Sequence, residues 1–138
     1  MMNNEYDKTK HLEMIQGIIN RLSGKSTSVK SWCITLISAL LIFSERSKEF
    51  RIYFILIVAL PLISFCFLDT FYLIMERRYR ELYEEVRMGI KKDYDLKIER
   101  KVKWLNYGEA LMGTSQKWFY IPTITILTLI IFFYGLGI

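Results

Sequence analysis

Two uncharged runs constrain this 138-residue chain more than anything else in it: residues 52–68, 17 in all, and residues 119–138, 20 in all. At about 1.5 Å of rise per residue, helices of that length approach the roughly 30 Å hydrocarbon thickness of a bilayer. In lipid every backbone N–H and C=O must be satisfied within the segment, so both runs are expected to be helices. Apolar residues make up 52% of the chain, and it is their gathering into runs that separates this sequence from a soluble domain of the same size.

The charge-free runs set the expected spans. One covers residues 51–75 and contains Pro61, which should kink it. Another covers residues 119–135, with Pro122 in its first turn, where the missing N–H costs little. A further span is expected over residues 29–44, although only 14 residues there, 31–44, are uncharged. Its Lys30 has a stem long enough to reach the headgroups, and Trp32 would sit at the interface. The short connection over 44–51 makes the first two spans an antiparallel hairpin.

Before them, residues 11–22 read as an amphipathic helix, with Leu12, Ile15, Ile19 and Leu22 at helical spacing. It would lie on the cytoplasmic membrane surface or pack against the later cytoplasmic helix, and "SGKSTS", residues 23–28, is expected to be a flexible break. After the second span, "ERRYRELYEEVRMGIKK" continues it as a charged helix whose apolar stripe is Tyr79, Leu82, Tyr83, Val86 and Ile90. A short extended piece around Tyr94, Leu96 and Ile98 should follow, then a helix over about 99–111.

Lysine and arginine orient the chain: five in residues 1–30, eleven in 76–118, three in 44–51 and none after the last span. The excess puts the N-terminus and the 76–118 segment in the cytoplasm and the C-terminus outside. The expected fold is thus a single all-α integral membrane domain with three transmembrane helices. An N-terminal amphipathic helix precedes them, and a cytoplasmic helical segment joins spans two and three. No cleavable signal peptide is expected, because the first 25 residues lack an early apolar core.

Chemistry is sparse. Cys33 and Cys66 lie in apolar runs and read as small buried residues, and His11 cannot build a zinc site alone. With no nucleophile–base pair, glycine-rich phosphate loop or paired carboxylates, neither catalysis nor a cofactor is expected. Asp69 is the informative residue. It lies seven residues before Glu76, roughly 10 Å inside the expected cytoplasmic boundary. An acid there is either protonated, bonded to a neighbouring helix or reached by a base such as Lys30; or else it lines a pore or gate in an oligomer. Counted inward from the boundaries, Ser38 and Thr125 reach a similar depth, so Ser38, Asp69 and Thr125 are candidates for one polar layer. That layer would be a path or interhelical glue. Arg77, Arg78, Arg80, Arg87, Lys91 and Lys92 form a basic segment suited to anionic lipid or to a trigger. Glu76, Glu81, Glu84 and Glu85 are interleaved and weaken its field, and nucleic acid is not an expected partner.

The order of parts over residues 11–92, from "HLEMIQGIINRLSGKS" through a tight hairpin to "MERRYRELYEEVR", resembles small bacterial membrane proteins of uncharacterised function. More distantly it is similar to the SLATT-type two-transmembrane effector domains of anti-phage systems. The resemblance implies an oligomer that breaches the inner membrane. The third span departs from that two-span plan, and a trigger would come from a protein partner or from phage. The leading expectation is therefore an oligomeric inner-membrane protein that forms a pore or disrupts the membrane, perturbing lipids as a defence effector. The alternative is a non-conducting membrane scaffold or accessory subunit of a larger complex, in which the polar residues only hold helices together.

Overall fold

The computed structural model describes residues 7–44, 51–92, 94–98 and 104–136. Four helices account for most of them: α1 (Lys8–Ser44), α2 (Arg51–Arg87), α3 (Trp104–Leu111) and α4 (Thr114–Leu136). The chain divides into two compact units, Met1–Val102 and Lys103–Ile138.

The first unit is a long antiparallel hairpin of α1 and α2. Asp7 caps α1: its Oδ1 accepts the amides of Thr9 (2.9 Å) and Lys10 (3.3 Å), filling donors that the first turn cannot satisfy. From there α1 runs 37 residues without a break. The flexible break expected at 23–28 does not occur. Ser26 and Val29 keep the buried period begun by His11, Ile15 and Ile19 and continued by Cys33 and Ile37, so packing against α2 overrides weak local propensity. Local bonds help. Thr27 and Ser28 donate their hydroxyls to the carbonyls of Ser23 and Gly24, at 3.2 and 3.0 Å, within the helix itself. The amphipathic helix and the first apolar run are one element, and its N-terminal half packs against the charged end of α2.

That end of the seam is apolar. Ile15 and Ile19 of α1 and Leu82 and Val86 of α2 form the buried cluster, flanked by Leu12, Tyr79, Tyr83, Leu96 and Ile98. Helix α2 carries Pro61 without interruption and extends into the charged segment as far as Arg87, short of the Lys92 expected, which leaves Ile90 of the expected apolar stripe outside the helix and exposed. It stops at a Schellman turn. Gly89 adopts φ +77°, its amide reaches Val86 O at 3.0 Å, and the Ile90 amide reaches Glu85 O at 2.9 Å. Lys8 Nζ donates to Arg87 O at 2.6 Å, placing a cation at the negative end of the α2 dipole. Residues 94–98 are non-helical and fold back along α1. Tyr94 Oη accepts the Asp7 amide at 2.6 Å, and the Tyr94 ring lies 5.5 Å from that of His11, which is fully buried.

In the second unit, α3 and α4 are joined by a tight turn at Met112 and Gly113, where the Met112 amide bonds to Gly108 O at 3.1 Å and that of Gly113 to Ala110 O at 2.9 Å. Helix α4 begins at Thr114, five residues before the apolar run. The start of the cytoplasmic helix expected near residue 99 lies outside the described residues.

Two helical stretches are long and apolar enough to cross a membrane: Leu56–Arg87 and Thr114–Phe132. Within their apolar windows only 22% and 17% of the residues are buried, whereas the core helix of a soluble protein is mostly covered. Among the described residues these are the two stretches that meet that standard.

Candidate functional site: an ion pair inside the hairpin

Asp69 is fully buried between α1 and α2. Lys30 Nζ lies 3.0 Å from its Oδ2 and 3.3 Å from its Oδ1, and the Ser26 hydroxyl donates to Oδ1. Lys30 also donates to Ser26 Oγ at 3.1 Å, so the three side chains close a small network. Ser26 and Lys30 stand four residues apart and therefore share the face of α1 that meets α2. The Lys30 side chain is only 17% exposed, and its charge is spent within the chain. Thr70, the fully buried neighbour of Asp69, returns its hydroxyl to Cys66 O at 2.7 Å. One turn towards the charged end, Lys25 Nζ stands 5.8 Å from the centre of the Tyr72 ring, a cation–π contact between the helices.

The pairing of Lys30 with Asp69 marks the register of the hairpin, and in that register Asp69 is not level with Ser38. Ser38 lies eight residues beyond Lys30, about 12 Å further along α1, and is exposed. The residue of α2 level with it lies near Pro61, not Asp69. Equal depth does not hold because it takes Glu76 as the boundary of α2 and Trp32 as that of α1. The apolar seam from Ile15 to Val86 slides the helices so that the last charge of α1 meets Asp69 instead. Thr125 belongs to the second unit, is exposed, and gives its hydroxyl to Ile121 O at 2.8 Å. Of the alternatives open for Asp69, the interhelical bond and the Lys30 contact are both realised.

Half of the basic segment is neutralised locally. Arg80 pairs with Glu76 at 2.6 Å, Arg87 with Glu84 at 2.5 Å and Lys91 with Glu85 at 3.7 Å. Arg77 and Lys92 are exposed, and Arg78 is half-buried. The parts played by Ser26, His11 and Tyr94 do not show in the sequence. Ser26 is hidden in what reads as a linker, and its one available signal is its place on the period of Ile15, Ile19 and Cys33.

Comparison with protein-family models, curated proteins and solved structures finds no match to this chain.

Proposed function

We propose that the chain is a multi-pass protein of the bacterial inner membrane, with its N-terminus cytoplasmic and its C-terminus outside, and that it acts as a non-conducting scaffold or accessory subunit. One observation carries this: the acid within the apolar run is enclosed by Lys30 and Ser26 of the same chain. A carboxylate that serves a conduction path faces a lumen, and this one faces its own hairpin partner. The length of the hairpin supports the same reading. Each 37-residue helix spans about 55 Å, so roughly 25 Å projects beyond a bilayer core as a packed stalk. Orientation rests on the lysine and arginine excess at that stalk end. In this proposal α1, α2 and α4 each cross the membrane, and Arg77 and Lys92 are the cations left to meet anionic lipid or a protein partner.

A homo-oligomeric pore, including a SLATT-like defence effector, is the second reading. It is favoured by Ser31, Thr35 and Ser38, which are exposed on the face of α1 turned away from α2 and could line a path between copies. Inducible expression in a bacterium with a potential-sensitive dye separates the two. The scaffold predicts no depolarisation by wild type or by Asp69→Asn at equal membrane levels. Depolarisation by wild type that Asp69→Asn and Ser38→Ala abolish supports the pore and sinks the scaffold.

A further inference from the structure

Crossing of the bilayer by α1 and α2, as proposed for this chain, is the premise on which a second property of the hairpin rests. Because Ser26 and Lys30 both reach Asp69, the layer of the hairpin that is uncharged on both helices is residues 31–44 of α1 against the part of 52–68 that they face on α2. The α1 side of that layer is 14 residues, about 21 Å, against a hydrocarbon core of roughly 30 Å. The two flanks then diverge. On α2, residues 70–75 stay uncharged for about another 9 Å, up to Glu76, and Phe71 is 39% exposed among them. At the same level α1 presents Ser23, Gly24, Lys25, Thr27 and Ser28, all exposed.

Snorkelling does not remove the difference. Lys30 is held by Asp69 and Ser26, and Lys25 is held over the Tyr72 ring at its own level. Tilting shortens the thickness a helix covers, which worsens a deficit on α1. A span too short for its bilayer is accommodated by thinning the bilayer around it.

We propose that the α1–α2 hairpin thins the bilayer on its α1 flank, so that headgroups and water reach the level of Lys30 along α1 while hydrocarbon reaches the level of Glu76 along α2. Its lipid partner is a bilayer whose hydrocarbon layer is stepped across the width of one hairpin. Ser28, between the Ser26 and Lys30 that meet Asp69, and Phe71, two residues from Asp69, then lie within one helical turn of each other along the hairpin but in different media.

The test uses the full chain with Cys33 and Cys66 replaced by alanine, carrying either Ser28→Cys or Phe71→Cys, in dioleoyl phosphatidylcholine vesicles. A charged maleimide is loaded on both faces by freeze–thaw. Ser28→Cys should react at least tenfold faster than Phe71→Cys. Comparable rates in a chain that resists carbonate extraction overturn the step and leave the membrane reading standing. A chain that carbonate strips away overturns both. A second measurement needs no substitution: the wild-type chain is melted in phosphatidylcholine vesicles with 14-, 18- and 22-carbon monounsaturated chains. Its melting temperature should be highest in the thinnest bilayer, and a rise with chain length overturns the proposal.

Discussion

At the scale of the residue, Asp69 shows how a costly side chain is accommodated. Breaking a buried ion pair from one side leaves the other charge stranded, at a cost of about 3–5 kcal/mol, whereas replacing both members by apolar groups is often neutral. Lys30→Met should therefore destabilise the hairpin by about that amount. Asp69→Asn should do less harm, since an amide oxygen still accepts from Ser26. The double variant Lys30→Met with Asp69→Leu should recover most of the loss. Reversible unfolding in detergent micelles, followed by circular dichroism, would measure this cycle, and additive losses would show that the pair is not coupled. Gly89 is the other residue whose identity is demanded. Its φ of +77° belongs to the left-handed region, and a Cβ added there would meet only Lys92 Cε at 3.8 Å, an ordinary contact. The penalty for Gly89→Ala is therefore conformational, about 1–2 kcal/mol, and should appear in the same unfolding experiment.

At the scale of the element, the continuity of α1 matters most. The stretch 23–28 has the composition of a linker, yet it lies inside a 37-residue helix. Its hydroxyls bond within the helix, and its Ser26 and the adjoining Val29 are buried against α2. Hydrogen exchange should therefore find the amides of 26–29 protected as strongly as those of 15–19, and rapid exchange confined to 23–28 would restore the broken helix. The same composition read alone favours a break, because serine, glycine and threonine are poor helix formers. What outweighs them is a seam of buried side chains reaching from His11 to Ile37. The charged continuation of α2 was legible for the opposite reason: Leu82 and Val86 fall on an unmistakable apolar period.

At the scale of the whole molecule, the two compact units make a separable prediction. The hairpin holds its own seam, its ion pair and the 94–98 return within Met1–Val102. A chain ending at residue 102 should keep the hairpin's helicity and its sensitivity to Lys30→Met. Loss of both on truncation would mean that the second unit is needed to form the first.

Chemistry read along the chain was enough to determine the helical class, two apolar helices long enough to span, and the continuation of α2 into its charged segment. Those properties depend on residues near in sequence, whose spacing of 3.6 per turn is visible without a fold. The pairing of Asp69 was decided only by the tertiary structure. Which residue of α1 stands opposite it depends on how far one helix slides along the other. That slide is set by the Ile15, Ile19, Leu82 and Val86 cluster, which lies well away from the ion pair along both helices. Depth counted from a charge boundary assumes that both helices share that boundary. In this hairpin the last charge of α1 reaches Asp69 rather than Glu76, so Ser26 and Lys30, not Ser38, meet the acid.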